Sequence, residues 1–527
     1  MAQKVAVCQV EALKEGDMQQ FDVGDKKVLL ARFENKFWAI APKCPHAGAN
    51  LANGVMKDGR VVCPWHNACF SLRTGELIEP PALEGVARYP VSIESGTVYV
   101  DLSEQETVEP ELPEVEEGDA EKSDRTFVIL GGGAAGCAAA QMLRQMKFSG
   151  QIVLLTESEQ PPYDRTKLSK AYLQQDKAGD VDLLKPISFY QRYDITLKTT
   201  TKATKLSTKT KTITCDDGET IQYDALLIAT GGEVKKIPMD GAELKGVFTL
   251  RQAQDARAIL EASKQARKVV IVGSGFIGME VASSLNQQGL EVTVVTPDKV
   301  PFKKVLGEKV GKLMMQIHES HGVTFKLERK ATAFKGDGKV SSVELEGGEI
   351  LPADMVVVGI GVQPATGFVE GIDLDEDDKS VPVNQYLQAA PNVYAAGDIA
   401  QFPHFITGKP VRIEHWRLAM QHGRTAAQNM TGENVAFKSV PFFWTGQYDV
   451  KLRYIGHAEK WDDVVIQGSL EDKSFLAFYI KEEQTLAVSG IGRDQEIAAI
   501  SELLGTAQMP DANAVKTEDI DWVALLK

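Results

Sequence analysis

Two segments of the chain repeat one design, and this repeat constrains the fold more than any other feature. The strand-like run at residues 126–130 leads through the glycine-rich turn GGGAAG (131–136) into a helix-like segment. The run at 269–272 leads through GSGFIG (273–278) into another. Such turns let the backbone approach a pyrophosphate at a helix N-terminus. The sequence therefore predicts two nucleotide sites on parallel α/β sheets.

A second strand in each unit ends near the residue expected to hold a ribose. Glu157 follows the strand at 152–155 in the first unit and can bind ribose hydroxyls. The second unit has Thr296 at this place, followed by Asp298 and Lys299, so NADH and NADPH both remain open. The turn residues predicted to bind nucleotide are Gly131, Gly133, Ala135 and Gly136 in the first unit and Gly273, Gly275 and Gly278 in the second.

Cysteine and histidine occur together at two places in the first hundred residues. One place reads Cys44-Pro45-His46 and the other reads Cys63-Pro64-Trp65-His66. Two thiolates and two imidazoles suit zinc or a two-iron cluster. Each stretch supplies one ligand of each kind, which suits a cluster whose one iron takes both cysteines and the other both histidines. The pattern resembles the Rieske 2Fe–2S family.

We call the segment around Cys44 and His46 the first ligand stretch and the segment around Cys63 and His66 the second ligand stretch. Both differ from the respiratory-complex form of that family. Ala49 and Trp65 stand where that form has its disulfide, so no disulfide is expected here. Ala68 and Phe70 stand where it has hydrogen-bonding hydroxyls. We therefore expect a reduction potential at the low end of the Rieske range of about −150 to +300 mV, as in the Rieske ferredoxins that this stretch resembles.

Further stretches resemble flavoproteins of the pyridine-nucleotide–disulfide reductase type, in particular the Rieske-bearing branch of the apoptosis-inducing factor family. The chain is also similar to the ferredoxin reductases of bacterial oxygenase systems. The resemblance implies that the first unit binds FAD and the second binds NADH or NADPH. The stretches are PPYDRTKLSK (161–170), LLIATGG (226–232), VVVGIGVQPAT (356–366), VYAAGDIA (393–400), EHWRLAMQHGR (414–424) and PFFWTGQYD (441–449).

The same resemblance implies roles for single residues. Lys170 and Glu280 would pair beside the flavin and nicotinamide rings as the catalytic residues. Glu280 lies in an apolar helical segment, where an unpaired charge would be costly. Without the resemblance, Asp398 could cap a helix and Trp416 could be a core aromatic residue. The other implied cofactor contacts are Arg165, Ala229, Thr230, Gly231, Gly361, Asp398 and Trp416.

The pattern of the whole chain predicts a multidomain protein. We expect an all-β Rieske domain, two interleaved Rossmann-like α/β domains and an α+β C-terminal domain. An acidic, proline-containing segment reads as an extended linker that would let the Rieske domain approach the flavin and then an acceptor. The predicted bounds are 1–103 (Rieske), 104–124 (linker), 125–245 and 371–436 (FAD), 246–370 (NAD(P)) and 437–527 (C-terminal).

Charge and composition exclude several classes of function. The net charge of −15 argues against a nucleic-acid surface. No apolar run reaches the roughly 18 residues that span a membrane, and the first residues lack a leader pattern, so a cytoplasmic location is expected. No C-x-x-C follows the first nucleotide unit, so a redox disulfide beside the flavin is not expected.

The expected activity is electron transfer from NAD(P)H through FAD to the chain's own 2Fe–2S cluster, and on to an acceptor that the sequence does not name. A protein is among the candidate acceptors, and both a monomer and a homodimer remain open. One alternative is a reductase component that feeds an oxygenase or a nitrite reductase. Another is a redox-responsive signalling protein of the apoptosis-inducing factor type with slow NADH oxidase activity.

Overall fold

The computed structural model describes residues 4–103 and 123–526, so the predicted linker lies almost wholly outside the described residues. Residues 4–103 form three small antiparallel sheets, as the short predicted strands require. The second ligand stretch connects two adjacent strands, Arg60–Val62 and Cys69–Ser71. The strands are Lys4–Gln9, Met18–Val23, Lys26–Phe33, Lys36–Ile40, Val55–Lys57, Arg60–Val62, Cys69–Ser71, Leu77–Glu79, Arg88–Tyr89, Val91–Glu94 and Thr97–Asp101.

The first glycine-rich turn belongs to a six-stranded sheet. Its central strands are buried, apolar and parallel, as expected for a sheet covered on both faces, and the edge strand Gln388–Ala390 pairs antiparallel. The helices beside it include Ala134–Gln145, Ile187–Arg192 and Trp416–Thr431. In spatial order the strands are Ile195–Lys198, Gln151–Leu155, Thr126–Leu130, Ala225–Ile228, Val393–Ala395 and Gln388–Ala390. Strands from before residue 230 and after residue 385 therefore share one sheet.

The second glycine-rich turn belongs to a five-stranded parallel sheet. Its helices are Ala253–Ser263, Phe276–Gln287 and Lys303–Ser320. In spatial order the strands are Val247–Thr249, Met355–Val358, Lys268–Val272, Glu291–Thr296 and Thr324–Leu327. Short strands accompany the two large sheets: Ala203–Ser207, Thr212–Cys215, Thr220–Gln222, Gly232–Val234, Ala331–Lys335, Ser342–Leu345, Ile350–Pro352, Val362–Pro364, Val369–Glu370, Val381–Pro382, Ala400–Pro403 and Pro410–Val411.

The C-terminal region is a five-stranded antiparallel sheet followed by helices, which agrees with the strand and helix pattern of its sequence. In spatial order its strands are Phe442–Gln447, Val450–Gly456, Gln484–Ile491, Ser474–Lys481 and Asp463–Ser469. The helices are Asp494–Gly505, Ala512–Thr517 and Trp522–Leu526. The described residues contain no helix that is both long enough and apolar enough to cross a membrane.

The Rieske region packs directly on the C-terminal region. Val55, Val62 and Cys69 share one buried apolar cluster with Phe442 and Trp522. Because this cluster is continuous across the two regions, burial of apolar surface holds the Rieske domain against the remainder of the chain.

Candidate functional site

A cavity of about 780 Å³ opens beside the first glycine-rich turn. It is lined by most of the residues that the sequence assigned to FAD: Gly131, Gly133, Ala135, Glu157, Arg165, Ala229, Thr230, Gly231, Asp398 and Trp416. Gly136 lies in the following helix, and Gly361, Lys170 and Glu280 lie outside the lining. Ile277, from the second glycine-rich turn, also lines the cavity, so the two nucleotide units meet there.

Glycine is required in the first turn for two different physical reasons. A Cβ on Gly131 would come within 2.2 Å of the Ala229 oxygen, and one on Gly136 within 1.9 Å of the Gly131 oxygen. These two glycines therefore permit close packing within the protein. A Cβ on Gly133 would meet no protein atom within 4 Å, although this residue stands at the mouth of the cavity. The open space at Gly133 suits a phosphate held at the N-terminus of helix Ala134–Gln145.

The glycines of the second turn fall into the same two groups, those packed against backbone and those facing open space. Gly273 and Gly278 would each clash with backbone oxygens if they carried a Cβ, whereas Gly275 faces open space. Thr296 is buried and its hydroxyl lies 2.8 Å from that of Ser274, so this hydroxyl already has a protein partner. Asp298 is half-buried. Lys299 is exposed, and its Nζ lies 3.8 Å from Oε1 of Glu328.

Asp398 faces the cavity and forms an ion pair there. Its Oδ2 lies 2.9 Å from Nη2 of Arg251, and its carbonyl accepts a hydrogen bond from Arg412 at 3.1 Å. The side chain makes no helix-capping hydrogen bond in the short turn Gly397–Ile399. Arg251 was not predicted, because it stands in no motif and reaches Asp398 only through the fold.

Lys170 and Glu280 meet, as the resemblance implied. Glu280 is 3% exposed, and its Oε2 lies 2.9 Å from Nζ of Lys170. The hydroxyl of Ser169 donates to the same oxygen, and that of Thr445 donates to Oε1 at 2.7 Å. The carboxylate therefore accepts hydrogen bonds at both oxygens, which offsets the cost of burying its charge.

The four predicted cluster ligands come together as two pairs. The thiols of Cys44 and Cys63 lie next to each other, close enough that each shifts the pKa of the other. The Nδ1 atoms of His46 and His66 lie 3.0 Å apart. All six cysteines of the chain are free thiols. A pair of cysteines beside a pair of histidines fits a cluster that takes two protein ligands on each iron.

Burial favours the neutral form of both histidines, which is the form that binds metal. It lowers the pKa of His46, and it lowers the pKa of His66 to about 2, with further contributions from the charges of His46 and Arg453. The two imidazoles are therefore neutral at pH 7, as metal ligation requires. Ala68 and Phe70, at the positions of the missing hydroxyls, are fully buried.

One strand of the C-terminal sheet separates this pair of histidines from the Lys170–Glu280 pair. The ring centroid of Trp444 lies 4.4 Å from that of His66 and 5.7 Å from that of His46. The next residue, Thr445, is the one that donates to Glu280. Successive side chains of a strand point to opposite faces, so Trp444 and Thr445 contact opposite sides of strand Phe442–Gln447.

Two buried arginines hold the second ligand stretch from outside the Rieske domain. Arg453 donates from Nε to the Trp65 oxygen at 2.8 Å, and Arg417 donates from Nη2 to the Asn67 oxygen at 3.2 Å. The side chain of Asn67 donates to Ser501 at 2.7 Å. Trp444 and Thr445 belong to a stretch noted for its resemblance, but nothing in the sequence singled out these contacts.

The fold and the two sites define an oxidoreductase with a nucleotide-binding α/β core joined to an iron–sulfur domain, and comparison with known families agrees. The pyridine nucleotide-disulphide oxidoreductase model matches residues 125–423, the Rieske [2Fe-2S] domain matches 3–90 and the reductase C-terminal domain matches 442–526. The chain belongs to the pyridine nucleotide-disulphide oxidoreductase family and carries a Rieske domain. It is an FAD-dependent NAD(P)H oxidoreductase with a 2Fe–2S cluster, which confirms the predicted cofactors.

Similar proteins extend over nearly the whole chain. Apoptosis-inducing factor 3 of Homo sapiens is 37% identical over 99% of this chain and 88% of its own length. Rubredoxin-NAD(+) reductase of Pseudomonas putida is 31% identical over 73% of this chain and 100% of its own length. The structure of the ferredoxin reductase for the CYP199A2 system of Rhodopseudomonas palustris matches with a TM-score of 0.73 and 28% identity, covering 77% of this chain and 100% of that one.

Proposed function

We propose that the chain passes electrons from NAD(P)H through FAD to its own Rieske cluster, and from the cluster to an outside acceptor. The observation that carries this proposal is the position of Trp444, which contacts both ligand histidines while its neighbour Thr445 holds Glu280. FAD accepts two electrons from a nicotinamide and can release them singly, as a one-electron cluster needs. The structural contacts support transfer in this docked arrangement, without movement of the Rieske domain on its linker.

The cavity residues would hold FAD in this scheme. The open space at Gly133 would receive the pyrophosphate, and Glu157 the ribose hydroxyls. Asp398, fixed by Arg251, would face the ribityl chain, while Arg165 and Trp416 would hold the flavin. This assigns 125–245 and 371–436 to an FAD domain interleaved with an NAD(P) domain at 246–370, and the sheet shared by strands before residue 230 and after residue 385 supports it.

Lys170 and Glu280 would act on charge at the flavin and nicotinamide. The lysine is 24% exposed on its side chain, whereas the carboxylate is buried and has hydrogen-bonding partners at both oxygens. The carboxylate would therefore fix the position of the lysine, and the lysine would stabilise negative charge that develops on the reduced flavin. Neither residue needs to form a covalent bond.

In the second unit, we propose a preference for NADH. Lys299 lies nearest to Glu328 and is exposed, so it is poorly placed to hold a 2′-phosphate. Asp298 remains as the acid next to the end of strand Glu291–Thr296, where it can accept hydrogen bonds from ribose hydroxyls. The Asp298→Asn variant should lose affinity for NADH more than for NADPH.

Electrons would leave through the first ligand stretch. Pro45, Ala47 and Gly48 are exposed, whereas the second ligand stretch is covered by the C-terminal region. An electron-carrier protein is the acceptor class that the similar reductases suggest, since their names include rubredoxin and ferredoxin.

Anaerobic titration of the purified protein with NADH, followed by absorbance and EPR, tests the proposed route. We expect bleaching of the flavin and the appearance of a Rieske EPR signal in the same protein. Flavin bleaching without a cluster signal, in protein shown by dithionite to contain a reducible cluster, would contradict the route.

A further inference from the structure

Arg453 places a buried positive charge against the second ligand stretch. It belongs to strand Val450–Gly456 of the C-terminal sheet and is 3% exposed. Its Nε donates to the carbonyl of Trp65, which lies between the ligands Cys63 and His66. A carbonyl carries no charge, so this hydrogen bond fixes the guanidinium beside the ligands without neutralising it.

The counter-ion of Arg453 lies on its other side. Nη1 of Arg453 is 2.5 Å from Oδ1 of Asp494, the first residue of helix Asp494–Gly505. The side chain of Asp494 is 33% exposed, whereas that of Arg453 is 4% exposed. The carboxylate therefore keeps some contact with water, although its Oδ1, which faces Arg453, is buried, whereas the cation that contacts the ligand stretch is almost wholly buried.

The guanidinium of Arg453 lies against the segment that carries one ligand of each pair, because Trp65 stands between Cys63 and His66. The other buried arginine of this interface, Arg417, hydrogen-bonds to the oxygens of Asn67 and Pro80 and lies 3.5 Å from the carboxylate of Glu79. Both arginines hold the Rieske domain, but the contact of Arg453 falls between two ligands.

We propose that Arg453 is a positioning residue for the Rieske cluster, and that its buried charge raises the cluster's reduction potential in the docked arrangement. Reduction adds one negative charge to the cluster, and a nearby buried cation stabilises the more negative state. The effect opposes the loss of hydroxyl donors at Ala68 and Phe70. This inference rests on the proposed function only in taking Cys44, His46, Cys63 and His66 as the ligands.

The test is an equilibrium redox titration of the full-length protein with mediators and dithionite at pH 7, followed by the cluster EPR signal. At the wild-type midpoint potential, Arg453→Met should lower the ratio of reduced to oxidised cluster at least threefold. Asp494→Asn removes the opposing charge and should raise the same ratio. Arg453→Lys keeps the charge and should leave the ratio within twofold of wild type.

Lys451 supplies the matched comparison, because it has the same charge on the same face of the sheet but is exposed, 4.8 Å from the Trp65 ring. The effect of Lys451→Met should disappear at high salt, whereas that of Arg453→Met should persist. An unchanged ratio in Arg453→Met, or shifts of Arg453→Met and Asp494→Asn in the same direction, would overturn the proposal. Should Arg453→Met fail to fold, the direction of the Asp494→Asn shift decides. Mediators and dithionite reduce the cluster without NADH and without electron transfer from the flavin, so a failed flavin-to-cluster route would leave this result unaffected.

Discussion

Trp444 and Thr445 are neighbours on one strand, and each contacts a different redox site. The Trp444 ring packs 4.4 Å from that of His66, and the Thr445 hydroxyl donates to Glu280 at 2.7 Å. The alternation of side chains along a strand places these contacts on opposite faces. One strand of the C-terminal region therefore lies between the two histidines His46 and His66 and the Lys170–Glu280 pair.

Removing the Trp444 ring should slow electron transfer from flavin to cluster. Trp444→Ala opens a gap between the ligand histidines and strand Phe442–Gln447, so we expect cluster reduction to slow by about tenfold or more. The rate of flavin reduction by NADH should stay within twofold of wild type. Stopped-flow absorbance with rapid-freeze EPR separates the two steps. Trp461, which packs on Tyr479 away from the Rieske domain, provides the control Trp461→Ala. Equal slowing in both variants would refute a specific role.

Glu280→Gln should impair flavin reduction. The amide keeps the shape of the side chain but removes the charge that fixes Lys170. We expect kcat for NADH oxidation with ferricyanide, a direct acceptor from flavin, to fall roughly tenfold, in line with the loss of about 1.4 kcal/mol of transition-state stabilisation. Glu291→Gln, at an exposed ion pair with Arg267, is the control. A wild-type kcat in Glu280→Gln would show that this carboxylate does not contribute to flavin reduction.

The variants Cys63→Ser and Cys69→Ser should distinguish a cluster ligand from a nearby cysteine that does not bind the cluster. Both cysteines are buried in the same stretch, but Cys63 interacts directly with Cys44, whereas Cys69 lies outside the ligand pattern. Burial raises the pKa of the Cys69 thiol, which keeps it neutral. We expect Cys63→Ser to lose the cluster iron and sulfide while keeping FAD, and Cys69→Ser to keep both cofactors. Iron, sulfide and flavin analyses decide, and cluster retention in Cys63→Ser would refute the ligand assignment.

Gly133→Ala and Gly275→Ala form a matched pair at the two turns. An added Cβ meets no protein atom within 4 Å at either position, so neither variant should unfold the protein. The Cβ would instead occupy space needed by a phosphate. Gly133→Ala should weaken FAD binding about tenfold or more, and Gly275→Ala should raise the Kd for NADH to a similar extent without loss of FAD. FAD loss in Gly275→Ala would contradict the assignment of the units.

His318 should make the protein less stable in mild acid. Burial lowers its pKa from 6.5 to about 4, with a smaller opposing contribution from its hydrogen bond to Gln447. The unfolded chain therefore takes up a proton first as pH falls, and stability declines between about pH 6.5 and pH 4 by up to about 1.4 kcal/mol per pH unit. His318→Gln should lose less stability than wild type between pH 7 and pH 5.

Thermal unfolding at pH 7 and pH 5 measures this difference. If His318→Gln and wild type lose the same stability between the two pH values, burial of this imidazole is not a source of acid sensitivity.

Local chemistry explains which features could be read from the sequence. The glycines at 131, 136, 273 and 278 are required by close backbone contacts within single turns, so their spacing is visible in the chain. Ligand chemistry similarly limits Cys44, His46, Cys63 and His66 to a short pattern. The family resemblance supplied the pairing of Lys170 with Glu280, which spacing alone would not have given.

The long-range contacts at the two candidate sites could not be read in this way. Arg453 reaches the Trp65 carbonyl across 388 positions of sequence, and Arg251 reaches Asp398 across 147. An arginine on a strand or in a loop has no local signal for such a partner, because its donors are satisfied only when distant segments pack together.

The sequence, together with its family resemblance, determined the kinds of cofactor and indicated side chains suited to bind them, because turn geometry and ligand chemistry act over a few residues. Only the tertiary structure decided how the Rieske domain packs against the remainder of the chain. That arrangement depends on a shared apolar cluster and on buried arginines from separate regions, whose contacts form only when the whole chain is folded.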